Sequence, residues 1–421
     1  MEYLPSQYCC RCYRALIVGV FLVFGCGALG IAQDSIAGSE SLSITGIKRV
    51  NLIALDEMMN SFMREHEVPG ASLAVSKNGV LVYSRGFGFR DVEQAIPVLP
   101  STRFRIASVS KPITSAAIAS LVKSGDMNFD DPLVDFLTPS ERALLHPQLR
   151  KVTIKQILSH RGGWDRERSS DPMFETVEIG KALHLGRPAT QEELIKFVLR
   201  RPPDFEPGTK YAYSNFGYCL LGRVVERVSK QPYGEFVKTT LFPHSTGTSL
   251  DLGKTLTVQR NESKYYVLPK RFVTGVVPGV LGQRVQTQYG GWCIENLDSH
   301  GGWISSAEDL VRFADSFNSP ASSSFLTEPI VSEIFSNPTG DGTDVFYGYG
   351  WLVRRVKGGS QVNTWHNGSL PGTSTLLVRR HDGLNWAVLF NTRDGKDAKN
   401  LSTLIDPLIH RSVNRVKDWS K

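Results

Sequence analysis

Cysteine is scarce in the body of this chain. Of 6 cysteines among 421 residues, Cys9, Cys10, Cys12 and Cys26 fall near the N-terminus, and only Cys219 and Cys293 lie beyond. Those two could pair in an oxidising compartment or stay separate buried thiols. Pairing needs neighbouring Cα atoms, so spacing leaves both open. Cys9 and Cys12 match Cys-x-x-Cys with no fold around them, which discounts redox or metal chemistry. The chain lacks a His-Glu-x-x-His motif, and nothing calls for a metal or another cofactor. It lacks a Gly-x-Ser-x-Gly elbow, which disfavours an α/β-hydrolase triad. It also lacks a long basic run or a basic stripe interleaved with aromatics. Its net charge of +7 therefore does not point to nucleic acid, although it suits an anionic membrane or cell-wall polymer. Repeats and a second composition regime are absent too. With 41% hydrophobic and 21% charged residues, the composition is that of an ordinary globular protein.

One long apolar run is present. Residues 15–32 are almost continuously apolar, follow Arg11 and Arg14, and end in Gly30-Ile31-Ala32 before Gln33. Residues 1–32 read as a signal peptide or an N-terminal membrane anchor. A lipoprotein cut before Cys26 fits less well, because Val23-Phe24-Gly25 is a poor lipobox. Every one of these readings puts the main domain outside the cytoplasm, periplasmic or extracellular. Residues 33–47, polar and rich in serine, read as a flexible tether, and residues 48–415 as one domain.

Within that domain, apolar spacing predicts a helix from Lys48 to about Glu67. Two β-rich runs follow, joined by Lys77-Asn78-Gly79, a strong hairpin signal. Helices and long loops fill the middle, including a helix that starts with a capping box at Thr190 and Glu193. The region 245–300 reads as loops and short strands over a cleft. Strands return at 349–356, 361–366, 374–379 and 386–391, and a helix over 397–409 closes the chain. The expected fold is mixed α/β in three layers. An antiparallel sheet from both chain ends is flanked by helices (about 48–112 and 300–415), with a mainly helical part inserted (about 113–299).

The run from Phe104 to Thr114 passes from extended chain into a helix start, with Ser108 and Lys111 on one face. A serine hydroxyl is a poor nucleophile until a neighbour takes its proton. Burial and the positive end of a helix dipole lower a lysine pKa, so Lys111 can be that neighbour. Ser120-Leu121-Val122-Lys123 matches the same spacing, but sits at the far end of the helix beside its expected C-cap, Gly125. Tyr213-Ser214-Asn215 follows a Pro-Gly turn and precedes a helix. A lysine ammonium would favour the Tyr213 phenolate and make it a proton shuttle. Asn215 could bond both Lys111 and a substrate carbonyl. His366-Asn367-Gly368-Ser369 lies among the C-terminal strands; His-x-Gly also occurs at His160 and His300.

Ser108-x-x-Lys111, Tyr213-x-Asn215 and His366-x-Gly368, in that order, resemble the serine β-lactamase and penicillin-binding-protein superfamily. The closest likeness is to its class C β-lactamase, esterase and D-aminopeptidase branch. Flanking segments such as Ile157–His160, Phe205–Gly208 and Gly302–Leu310 extend the resemblance from about Lys48 to about Val413. It implies a serine acyl hydrolase that forms an acyl-enzyme on Ser108, with Lys111 and Tyr213 managing the proton. Asn215, His366, Gly368 and Ser369 would hold the substrate, a small molecule or peptide, and the N–H groups of Ser108 and Ser369 its oxyanion. One departure is His366, where lactamases usually carry a lysine for the substrate carboxylate. A mostly neutral histidine weakens that site, which favours esterase or peptidase-like hydrolysis over efficient β-lactam cleavage. The alternative is a non-catalytic binding or scaffold protein at the cell envelope.

Overall fold

The computed structural model describes residues 42–242, 250–356 and 359–419. The expected leader, and the tether up to residue 41, lie outside these residues. Among those described, no helix is long and apolar enough to cross a membrane. The principal sheet takes β1 (Ile44–Thr45), β2 (Gly70–Lys77) and β3 (Val80–Asp91) from the early chain. It takes β4 (Val345–Tyr347), β5 (Leu352–Arg355), β6 (Val362–Leu370), β7 (Thr373–Arg379) and β8 (Leu384–Phe390) from the late chain. A short strand, Ile96–Pro97, pairs on β3 and brings the sheet to nine strands. The main order is β1-β3-β2-β8-β7-β6-β5-β4, antiparallel throughout. The two chain ends meet where β8 pairs with β2, from Leu384 opposite Lys77 to Phe390 opposite Ala71. This is the mixed α/β fold that the sequence predicts.

Local chemistry accounts for these elements. Asn78 and Gly79 turn the β2–β3 hairpin at φ 52° and 77°, the left-handed pair that a two-residue hairpin requires. β8 is buried at every residue because helices cover both faces of the sheet, so its sequence shows no polar alternation. On one face lie α1 (Ile53–Glu65) and α5 (Leu401–Arg415). Leu55, Met59, Phe62, Ile405 and Ile409 there pack with Leu73, Val75, Trp386 and Val388. Each large side chain fully buried in this way contributes about 1.5–3 kcal/mol. On the other face α4 (Ala307–Asp315) packs on β8 and β2; α2 (Ser110–Ser124) and α3 (Asn215–Ser229) belong to the same core, with α3 packed on α2. α2 is buried almost all round, as its run of Ala, Ser and Thr allows. Gly125 caps it at φ 82°.

Three boundaries differ from expectation. The run expected as one strand over 349–356 is broken. Gly350 stands at φ 79°, and a Cβ there would lie 2.7 Å from Ser115 Cβ and 3.0 Å from the Lys111 carbonyl oxygen. The chain is diverted so that it can press on α2, where Ser115 Oγ donates to the Tyr349 carbonyl (2.7 Å). The last helix starts later and runs further than 397–409, because Asn400 is its cap, accepting from the Ser402 N–H. Its apolar spacing continues through Val413. Ile44 and Thr45, expected in the tether, pair with Phe87 and Gly86 at the sheet edge. Cys219 is buried, Cys293 half-buried, and both thiols are free.

Candidate active site

The strand Phe104–Arg105 pairs with Trp303–Ser305. The chain then enters a tight turn over Ala107–Val109 that runs straight into α2. Ser108 therefore sits on a 3₁₀ turn rather than on the α-helix itself. Ala107, just before it, has φ 47°, a conformation that costs a non-glycine residue roughly 1–2 kcal/mol. The surroundings hold it there. Thr373 Oγ1 donates to the Arg105 carbonyl and Thr375 Oγ1 to the Ile106 carbonyl, both at 2.8 Å, while the Ile106 N–H donates to the Trp303 carbonyl (3.0 Å). Gly368 of β6 presses on the same turn. A Cβ there would lie 2.2 Å from the Ile106 oxygen and 3.1 Å from the Ser108 nitrogen. The glycine lets the β6 strand reach the nucleophile turn.

Lys111 is fully buried. Its Nζ lies 2.7 Å from Asn215 Oδ1, 3.0 Å from the His300 carbonyl oxygen and 3.3 Å from Ser108 Oγ. Burial holds its pKa well below the ordinary value; the Asp171 charge opposes this and the Arg166 charge adds to it. The first two partners can only accept, since Asn215 Nδ2 is turned to Asp171 Oδ2 (2.6 Å). A neutral amine spends its two N–H bonds on them, which leaves its lone pair facing Ser108 Oγ. The geometry thus leaves the amine able to accept a proton from Ser108 Oγ.

Tyr213 hydrogen-bonds Ser108, and burial drives its pKa up. This corrects the sequence reading: desolvation outweighs any pull of a neighbouring ammonium, and the resting group is a phenol. Lys111 Nζ lies 4.7 Å from the centre of the Tyr213 ring, and the Arg166 guanidinium also stands 4.7 Å from it. His366 is buried with both ring nitrogens engaged. Nδ1 meets the Asn367 carbonyl (2.7 Å), so it carries the proton, and Nε2 accepts from the Tyr347 hydroxyl (2.9 Å). Burial, with the Lys111 charge, lowers its pKa to about 3. Ser369 is exposed, and its Oγ accepts from Asn400 Nδ2 (3.0 Å).

The structure thus brings Ser108, Lys111, Tyr213 and Asn215 together, with Gly368 against the same turn. It also reveals participants that sequence reasoning missed. Asp171 is half-buried beside Asn215 and holds that amide in orientation by accepting from its Nδ2. His160 Nδ1 accepts from the Ser214 N–H (3.1 Å) and the His160 carbonyl from the Ala212 N–H (2.9 Å), so His160 clamps both flanks of Tyr213. Its ring lies 4.3 Å from that of Tyr213 and 4.4 Å from that of Tyr347. Ile157–His160 marked the segment in the sequence, but nothing there gave His160 this part. Among the described residues, no group of three or more His, Cys, Asp or Glu side chains could hold a metal ion.

A serine turn under an antiparallel sheet, with a buried amine on the following helix, a phenol on a facing loop and an amide at the first residue of the helix after it, is the arrangement of the serine β-lactamase and penicillin-binding-protein superfamily. The family model described as Beta-lactamase matches residues 55–408, and the chain belongs to that family, as a serine hydrolase. Penicillin-binding protein 4* of Bacillus subtilis is 26% identical over 345 residues, 80% of this chain and 70% of that protein. Protein flp of Staphylococcus aureus is 29% identical over 197 residues, and the match spans 46% of this chain and only 37% of that protein. Two solved structures share the fold. The D-amino acid amidase from Ochrobactrum anthropi has a TM-score of 0.65 at 19% identity, covering 88% of this chain and 99% of that one. The octameric penicillin-binding protein homologue from Pyrococcus abyssi has a TM-score of 0.63 at 24% identity, covering 84% and 76%.

Proposed function

We propose that the protein is an exported acyl hydrolase that forms an acyl-enzyme on Ser108 and acts on an ester or amide in preference to a β-lactam. The observation that carries this reading is the Lys111 amine, buried, with its two acceptor partners leaving the lone pair to Ser108. As Ser108 Oγ bonds to the substrate carbonyl carbon, its proton passes to Lys111 Nζ. Negative charge moves to the carbonyl oxygen, held by the N–H groups of Ser108 and Ser369. When the tetrahedral adduct collapses, the bond to the leaving oxygen or nitrogen breaks, and Tyr213 gives that atom a proton, restored from the Lys111 ammonium. Water then attacks the ester on Ser108 and loses its proton to the same pair; the bond between the acyl carbon and Ser108 Oγ breaks, the pair returns the proton to Oγ, and the acid is freed. Asn215 orients Lys111 in both halves.

The preference within this class rests on His366. Its ring is neutral and both nitrogens are engaged, so it offers no cation to a substrate carboxylate. D-Peptidase-like amide cleavage and ester cleavage both remain within this reading. The test is intact mass after exposure to a fluorophosphonate and, separately, to a penicillin. A single adduct with the fluorophosphonate, lost in Ser108→Ala, with slower labelling by the penicillin, is the expected result. No adduct from either reagent on folded protein refutes the reading and favours a binding protein.

A further inference from the structure

Arg166 is held against the ring of Tyr213, its guanidinium carbon 4.7 Å from the ring centre. It stands on a single helical turn, Arg166–Ser169, that is tied down at both ends. Asp165 caps the turn by accepting from the Glu167 N–H (3.1 Å), and its other carboxylate oxygen pairs with Lys210 Nζ (2.9 Å). The Asp165 N–H and the Ser169 hydroxyl both donate to Asp204 Oδ2, each at 2.8 Å. Asp204 and Lys210 belong to the segment that runs on to Tyr213. The turn that carries the arginine is therefore moored to the segment that carries the phenol. The ion-pair partner of Arg166 is Glu167 on the same turn (3.5 Å), with 77% of its side chain exposed, and so wet a pair neutralises little.

Lys111 Nζ stands at the same distance, 4.7 Å, from the Tyr213 ring centre. The histidines around this ring carry no charge. His160, 4.3 Å away ring to ring, and His366, bonded to Tyr347, both have pKa values lowered by burial. Tyr211 and Tyr347 are phenols whose pKa values burial raises, and the charge of Asp171 opposes ionisation of Tyr213. A phenolate on this ring would find its cations in Lys111 and Arg166. The two differ in one respect. Lys111 loses its charge each time it returns a proton, whereas a guanidinium keeps its own.

We propose that Arg166 is a positioning residue that acts through Tyr213: it holds the charge of the phenolate while the leaving group departs, and so fits the enzyme to esters and amides whose leaving atom must be protonated. This rests on the acyl-hydrolase reading. When the bond from the acyl carbon to the leaving oxygen or nitrogen breaks, the electron pair stays on that atom and takes the phenol proton. The ring then carries the negative charge until the Lys111 ammonium returns a proton. A cation is attracted to the face of an electron-rich ring, and the attraction grows when the ring ionises. Arg166 thereby makes Tyr213 a stronger acid in this step, the direction in which its charge already opposes the effect of burial. An activated leaving group needs no proton and gains nothing.

The test compares kcat/KM for p-nitrophenyl butanoate and ethyl butanoate in the full-length parent, Arg166→Gln and Arg166→Lys. The two esters share an acyl group and differ in the need for a proton on departure. Arg166→Gln is expected to raise the ratio of activated to alkyl ester about tenfold, a part of the roughly 100-fold or more that a placed proton donor supplies. Arg166→Lys keeps a charge and is expected to bring the ratio back to within about threefold of the parent. Both changes are at an exposed position, so the melting temperature should hold. An equal loss on both esters marks a structural role and overturns the assignment. So does a ratio within about threefold of the parent in Arg166→Gln, or an Arg166→Lys protein that behaves as Arg166→Gln does. Fluorophosphonate labelling separates the two proposals. A parent that does not label refutes the acyl-hydrolase reading and this one with it; a parent that labels, with no change of ratio in the variant, refutes this one alone.

Discussion

Gly368→Ala is the sharpest probe of how the active site is assembled. The new methyl would stand 2.2 Å from the Ile106 carbonyl oxygen, 2.3 Å from Thr375 Oγ1 and 3.1 Å from the Ser108 nitrogen, whereas ordinary contact begins at 3.4 Å. The Thr375 hydroxyl can rotate, but it would give up its bond to the Ile106 oxygen. That oxygen cannot retreat, because the Ile106 N–H is tied to Trp303 on the neighbouring strand. Relief has to come from moving β6 off the nucleophile turn by about 1 Å, a displacement of the size that costs about 100-fold in rate when it misaligns reacting groups. Overpacking should cost about 1–3 kcal/mol in stability, which a domain of this size survives. The assay is the second-order rate of fluorophosphonate labelling, with urea unfolding in parallel. Labelling should fall about 100-fold in protein that still unfolds cooperatively. A folded variant that labels within about threefold of the parent would refute the idea that β6 must touch this turn.

Three further outcomes follow from the same geometry. Ser369→Ala removes only an exposed hydroxyl bonded to Asn400, so kcat should stay within about threefold, because the expected oxyanion donor is the backbone N–H; a large loss would assign the work to the hydroxyl. Asp171→Asn removes the charge that opposes the lowering of the Lys111 pKa, so the acid limb of the kcat/KM profile should move to lower pH, and a move to higher pH would count against Lys111 as the base. His160, His300 and His366 are all buried with pKa values held below the ordinary value of 6.5 by desolvation. The unfolded chain therefore binds more protons than the folded one as pH falls below 6.5. Stability, fully present above that pH, should decline from pH 7 to pH 5, where most carboxylates are still ionised. A urea midpoint unchanged over this interval would contradict neutral burial of these rings.

Much of the scaffold is legible in the sequence because it is written in short-range terms. Asn78-Gly79 sets a hairpin, Gly125 ends a helix, and Thr190 with Glu193 starts another, as the capping box there confirms. The meeting of Ser108 and Lys111 is legible for the same reason, the two being three residues apart. Asp171, His160 and Tyr347 are not. Each reaches the active site from a separate segment, and a buried carboxylate or histidine carries no local pattern that separates it from a structural one. The break at Gly350 was hidden because its cause is the backbone of α2, some two hundred residues earlier in the chain. The late start of α5 was hidden because the asparagine at its cap follows Lys399 in a run of polar residues that reads equally well as helix.

The joining of β8 to β2 has a consequence for the chain while it is being made. Ser108 and Lys111 are translated early, yet the strand that approaches them ends at Leu370, and the sheet closes only when Leu384–Phe390 lines up on β2. Until then the ribosome carries a hairpin with an open strand edge, the kind of surface that chaperones cover and that aggregates when left bare. Pairing across so long a separation is also slow. A premature stop before Phe390 should therefore leave an inert, degradation-prone product rather than a weaker enzyme, and hydrolysis in a cell would report that translation ran past the last strand.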